Sequence, residues 1–307
     1  MSRPAVTWKF KAETLRLSES TLLAGAVALN ATEPGPAAEQ ALRLANEGAD
    51  IIELQCDVWQ PGKAPISADA ELLRLVPVLK RLSGKIPVPV AVETSKAEVA
   101  RRALELGAQI IADPSTLTFE PELARAVCEA NAALILRHLR GVPEQWARLG
   151  TPKDIVQAVL DELNAAISRA ARFGLTKACL AVDPGFGLGK RKEQNSLLLA
   201  ELGIFHRLKT PVMVCLQRQS FESVPATEPS PAQTAGMAVA AVLKGAHIIR
   251  LEDIAFCREA ILAADGLLAA SEPAASQQTL VHRHPPLPAP NPPPEPKRRP
   301  LRPPVKR

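Results

Sequence analysis

No apolar run in the 307 residues is long enough to span a bilayer. The first residues, Met1 to Lys11, carry no apolar segment like that of a signal peptide. Cysteine is scarce and odd in number, five in all, with no C-x-x-C pair. That spacing excludes a disulfide framework and a zinc site. Cys56, Cys179 and Cys215 lie inside apolar runs and read as small reduced core residues. These absences make a cytoplasmic protein with no membrane span the expectation. Charge of one sign is also missing once it is located. Lys and Arg total 37 against 32 Asp and Glu, but seven Lys/Arg and two Glu lie after Ser271, which leaves 30 against 30 before it. The basic balance therefore belongs to the C-terminal segment, and the rest offers no electrostatic footprint for specific nucleic-acid recognition. A phosphate P-loop is excluded as well, because no Ser or Thr follows Lys190 in the required spacing.

What is present is a repeat. A short apolar run followed by a helical period recurs eight times, the runs being Leu22–Asn30, Ala49–Cys56, Val88–Thr94, Ala108–Pro114, Ala132–His138, Lys177–Pro184, Pro211–Gln217 and Ala246–Asp253. The runs are continuous rather than alternating, as in strands covered on both faces. Between them lie amphipathic segments such as Ser95–Gly107, where Ser95 can cap the helix start and Val99, Ala103 and Leu104 supply the apolar face. A second helical pattern covers Gln194 to Leu208. Gly48, Gly107, Gly174 and Gly245 each stand where a helix should end before the next strand. Eight strand–helix units predict an α/β fold of the (β/α)8, or TIM, barrel type over residues 22–270, with 1–21 as an N-terminal extension. Residues 271–307, with eleven prolines after His284, predict a disordered basic tail. Such a tail suits a proline-recognition domain or an anionic surface as partner.

In a barrel the strand C-terminal ends converge on one mouth, where ligand chemistry takes place. Asn30, Asp57, Glu93, Asp113, His138, Asp183, Gln217, Arg250 and Glu252 fall at such ends. The most informative of them is Asp183. It ends the apolar run Lys177–Val182 and opens the glycine-rich turn Asp183-Pro184-Gly185-Phe186-Gly187-Leu188-Gly189-Lys190. A carboxylate at a strand end, followed by glycines that let backbone approach closely, presents an acid to a small ligand.

The segment LAVDPGFGLGKRKEQNSLLLAELGIFHRLKTPVMVCLQRQSF, beginning at Leu180, resembles dihydropteroate synthases. So do GADIIELQCDVWQPG from Gly48, Ile66-Ser67, the Glu93-Thr94 strand end, Leu136-Arg137-His138-Leu139-Arg140-Gly141, and Arg250 in IIRLED. The resemblance runs in order from about Leu22 to Leu268. It implies a pterin-binding barrel of folate synthesis that joins p-aminobenzoate to 6-hydroxymethyl-7,8-dihydropterin pyrophosphate with Mg²⁺ assistance. Residue by residue, it implies that Asp183 and Glu93 hold the pterin with Arg218 and Gln219 beside them. Asn30 would lie near the metal, and Arg250 would steady the departing pyrophosphate. A homodimer is left open.

The sequence also departs from that family. Asn30-Ala31-Thr32-Glu33-Pro34-Gly35-Pro36 stands for Asn-Val-Thr-Pro-Asp-Ser-Phe, and Asp57-Val58-Trp59-Gln60-Pro61-Gly62 for Glu-Ser-Thr-Arg-Pro-Gly. Glu93 replaces an aspartate, Ala112 an asparagine and Glu252 a histidine, while Gln217-Arg218-Gln219-Ser220 replaces Ser-Arg-Lys-Ser. Losing one donor to a developing anion lowers a rate by about 10²–10³, so weak or absent synthase turnover is expected. Two alternatives accompany the synthase. One is a catalytically degenerate barrel that binds a pterin or another small ligand as a regulatory or partner protein. The other is a pterin-binding methyltransferase domain, although no corrinoid-binding module follows.

Overall fold

The computed structural model describes residues 3–11, 13–29, 33–57, 59–216 and 231–271. Eight parallel strands form the central sheet: β3 (Leu22–Ala28), β4 (Ile51–Gln55), β5 (Val90–Glu93), β6 (Ile110–Asp113), β7 (Ala133–Arg137), β8 (Leu180–Asp183), β9 (Met213–Cys215) and β10 (Ile248–Leu251). Each lies within one of the eight predicted apolar runs. The order is sequential from β3 to β8, and β10 pairs with both β3 and β9. The ring closes between β8 and β9 on a single parallel bridge, Val182 to Val212, where the Val182 amide donates to the Pro211 carbonyl at 2.9 Å. The barrel prediction holds, with one thin seam.

Helices α1 (Pro34–Asn46), α2 (Ala68–Leu82), α3 (Ala97–Glu105), α4 (Leu123–Glu129), α5 (Ile155–Arg172), α6 (Lys192–Ala200), α7 (Pro231–Leu243) and α8 (Ile254–Ser271) surround it. None of the described helices is long and apolar enough to cross a membrane. Gly48, Gly107, Gly174 and Gly245 have φ of 102°, 104°, 91° and 95°, so each ends its helix in the left-handed region that a Cβ disfavours. Two local expectations fail. The start of α3 is not capped by Ser95; its Ala97 amide donates to Glu120 Oε2 at 2.7 Å, a carboxylate from the next connection. The pattern from Gln194 to Leu208 is broken into α6 and a 3-10 turn over Leu202–Leu208, which ends with Lys209 at φ 57°.

The chain holds ten Trp and Phe and no Tyr, so aliphatic residues make the core. Outward strand residues such as Leu23, Ile52, Val92, Ile111 and Leu134 pack under the helices. Inward residues follow with period two. Ile51, Ala91, Ile135, Ala181 and Ile248 fill the barrel interior, and Glu53, Glu93, Arg137, Asp183 and Arg250 each come two positions later. The extension at residues 1–21 carries an antiparallel hairpin, β1 (Val6–Phe10) with β2 (Glu13–Leu17). Its Trp8 and Phe10 are buried in the same inner cluster and close the barrel floor. Arg3 fixes this piece from below. It donates to Asp265 Oδ1 on α8 at 2.9 Å and to the Ala246 carbonyl at 2.9 Å, while the Thr21 amide donates to Asp265 Oδ2 at 2.8 Å.

Candidate active site

Period two carries charged side chains into the upper layer of the barrel, where aliphatic residues would normally stack. Glu53, Glu93, Arg137, Asp183 and Arg250 are all at most 5% exposed. Arg137 is the hub. Its Nε donates to Asp183 Oδ2 at 2.8 Å, the neighbour fixed by the β7–β8 register. Its Nη2 donates to Glu53 Oε2 at 2.9 Å, and its Nη1 donates to Glu53 Oε1 at 3.2 Å and to Glu93 Oε2. Arg250 donates from Nε to Glu53 Oε1 and from Nη2 to Gln55 Oε1 at 3.1 Å. Gln55 passes the chain on, donating to Glu93 Oε1 at 2.8 Å.

Burial acts to raise the Glu53 carboxyl, but the Arg137 and Arg250 guanidiniums outweigh it and hold the group below the usual range. Cys215, pushed well up by burial, remains a thiol and donates to Asp183 Oδ2 at 3.0 Å. The glycine-rich turn closes the other side. The Gly185 amide donates to Asp183 Oδ1 at 2.8 Å. Gly185 has φ 68°, and a Cβ there would drive into the His138 carbonyl oxygen. Lys190 is buried with Nζ donating to the carbonyls of His138, Gly185 and Leu188 at 2.9, 2.8 and 3.1 Å. Burial brings its pKa down to about 7 despite the pull of Asp183. Three carboxylates thus share their charge with two guanidiniums, and the Lys190 ammonium is drawn to Asp183 without contact.

The strand-end residues divide. Glu93, Asp183 and Arg250 meet in the mouth. Asp113 does not join them, because it turns back to accept from the Ser115 and Leu117 amides, and burial raises it to about 6. Asp57 accepts from the Ile66 amide at 2.9 Å, and His138 pairs with Glu162 Oε2 at 2.9 Å. Asn30, Gln217, Arg218 and Gln219 lie outside the described residues, as does the tail after Ser271. The sequence reading missed Glu53 and Arg137, the two most connected members. Their signal was a lone charge inside an otherwise apolar run, in IIELQ and ALILR.

The departures also explain one another. Trp59 Nε1 donates to Glu93 Oε1 at 3.1 Å, so two altered positions form one contact. Ala112 stands beside Glu93 in the ladder, and its small side chain leaves room for the longer acid. The space left between Gln55, Trp59, Glu93, Arg137, Phe186 and Arg250 is about 20 Å³, enough for roughly one or two waters.

The model of the family described as pterin-binding enzyme matches residues 25–252, from within β3 to just past β10. This chain belongs to the pterin-binding enzyme family. The pterin-binding barrel is 34% identical over 239 residues to the dihydropteroate synthase of Escherichia coli K12, covering 77% of this chain and 84% of that protein. Among solved structures, it superposes on the Yersinia pestis dihydropteroate synthase bound to a sulfonamide drug with a TM-score of 0.78. The identity there is 28%, and the match covers 86% of this chain and all of that one. The Burkholderia cenocepacia dihydropteroate synthase in complex with 7,8-dihydropteroate matches with a TM-score of 0.76 at 28% identity, over 88% and 99% of the two chains. Homology to dihydropteroate synthases therefore extends over most of the pterin-binding chain.

The described part of this site does not fit the magnesium ion that the family resemblance implies. Every oxygen of Glu53, Glu93 and Asp183 already accepts from an N–H or S–H donor. Among the described residues no group of His, Cys, Asp and Glu is placed to hold a metal. Asn30 lies outside them.

Proposed function

We propose that the protein is a dihydropteroate synthase of folate synthesis that works in the cytoplasm. It joins p-aminobenzoate to 6-hydroxymethyl-7,8-dihydropterin pyrophosphate. The observation that carries this reading is Asp183, a fully buried acid at the end of β8 with its glycine turn folded against the His138 carbonyl. The homologous Burkholderia structure holds 7,8-dihydropteroate, the product of that reaction. In this reading Asp183 and Glu93 accept the N–H edge of the pterin ring, a charge-assisted pair that orients it. The amine of p-aminobenzoate forms the new C–N bond as the C–O bond to pyrophosphate breaks, and the nitrogen gives up one proton, which the pyrophosphate or solvent takes. Arg250, beside Gln55 at the rim, is then the cation for the leaving anion. Because the described residues do not fit magnesium, no step is assigned to a metal.

A second reading rests on a specific observation. Arg137 engages Glu53, Glu93 and Asp183 together, which leaves little open space. That arrangement favours a barrel that binds a small ligand without the condensation. A coupled assay of pyrophosphate release with purified protein separates the two. Release that requires both substrates supports the synthase. Pterin binding without release leaves the binding barrel.

A further inference from the structure

Arg137 has no role in the mechanism above, yet it holds the centre of the site. A guanidinium is planar and presents N–H donors in a fixed fork. The donor edge of a 2-amino-4-oxopyrimidine is also planar and addresses carboxylates in the same way. On the acids of the mouth one oxygen of each pair is full, because Asp183 Oδ2 and Glu93 Oε1 each already accept from two donors. Asp183 accepts from the Gly185 amide on Oδ1 and from Arg137 and Cys215 on Oδ2. Glu93 accepts from Arg137 on Oε2 and from Gln55 and Trp59 on Oε1. A ring that pairs with both oxygens of Asp183 must therefore take the place of a donor on Oδ2. Gly185 is backbone and Cys215 is short and fixed on β9, whereas Arg137 is long enough to withdraw.

We propose that Arg137 is the specificity-determining residue of the mouth, an internal occupant that a ligand must displace from Asp183 and Glu93. The proposal rests on the reading of the mouth as the ligand site. It names the ligand class as a planar group bearing amidine- or guanidine-like N–H donors, whether a neutral ring or a cation. When Arg137 leaves, Glu53 keeps Arg250 as its partner, and only Asp183 and Glu93 need new donors. A ligand without donors would strand two buried carboxylates, a severe penalty. An anionic edge would add to it. Arg137 thus lowers affinity for every ligand while rejecting the wrong ones by more.

The test uses the full chain, with Arg137→Met as the open form and Arg137→Lys as the variant that keeps a buried positive charge. Two probes are applied: millimolar methylguanidinium chloride, against equal sodium chloride, and 6-hydroxymethylpterin. Methylguanidinium should raise the thermal midpoint of the Met variant and leave wild type unmoved. Calorimetry should show 6-hydroxymethylpterin binding the Met variant at least about tenfold tighter than wild type, because the displacement penalty is gone. The Lys variant should fall between, since one ammonium cannot bridge three acids. If the Met variant does not fold, the Lys variant decides alone. Equal pterin affinity in wild type and variant, or no selective response to methylguanidinium, overturns the proposal. A selective response to methylguanidinium with no pterin binding by any form upholds Arg137 as internal occupant and removes the pterin reading instead.

Discussion

Replacing Glu53 by glutamine removes one charge from a closed network, and the structure says where the loss falls. Glu53 is fully buried and accepts from Nη1 and Nη2 of Arg137 at 3.2 and 2.9 Å and from Nε of Arg250. After the change Arg137 still has Glu93 and Asp183, but Arg250 keeps only the neutral Gln55. A guanidinium left without its buried counter-charge destabilises a fold by about 3–5 kcal/mol. Glu53→Gln should therefore lower stability in urea by about 3 kcal/mol with an unchanged m-value. Arg250→Gln should cost less, because Glu53 still faces Arg137. The double variant should cost much less than the two added together, with a coupling of about 2 kcal/mol. Additivity within about 0.5 kcal/mol would mean that Glu53 and Arg250 do not act as a pair, and the charge network described above would be wrong.

Asp183→Asn should weaken 6-hydroxymethylpterin binding by about 1.5–3 kcal/mol in calorimetry, the value of a charged hydrogen bond; unchanged affinity would reduce Asp183 to a turn cap for Gly185. Gly185→Ala should destabilise by at least about 2 kcal/mol, since φ is 68° and the His138 carbonyl blocks a Cβ; a neutral effect on the thermal midpoint would refute the close approach. His138, lowered by burial from 6.5 to about 4, gives a signed pH dependence. As pH falls the unfolded chain takes the proton first, so wild type should lose stability between pH 6.5 and about 4, and His138→Asn should not show that share of the loss. A chain ended at Ser271 should keep its thermal midpoint, because a segment so rich in proline and poor in large apolar residues is expected to stay disordered; a fall of many degrees would refute that expectation.

The barrel was legible because buried parallel strands need continuous apolar runs and helices need glycine stops, and both recur on schedule. The floor hairpin was not read, although Trp8 and Phe10 alternate with Thr7 and Lys9 as a half-buried strand should. The site was half legible. Strand ends mark the rim, which found Glu93, Asp183 and Arg250. A strand end does not fix which way a side chain turns, and so Asp57 and Asp113 were misjudged. Glu53 escaped because the inward row of a strand matters as much as its tip, and Arg137, the last residue of β7, because the strand end was placed one residue on, at His138. A charge in an apolar run has no place to go but the interior.

The hairpin that closes the floor also has a consequence in time. Arg3 and Asp265 lie 262 residues apart, and the bond between them joins the first described segment to the last helix. During translation the floor piece leaves the ribosome well before β10 and α8, so the ring it seals is incomplete until they follow. Until then the cluster around Trp8 and Phe10 lacks Met213, Cys215 and Ile248, and the two rings are not fully covered. Closure of the floor therefore depends on the last strand and helix, and a nascent chain stalled before α8 lacks the Asp265 anchor that holds Arg3 and Thr21.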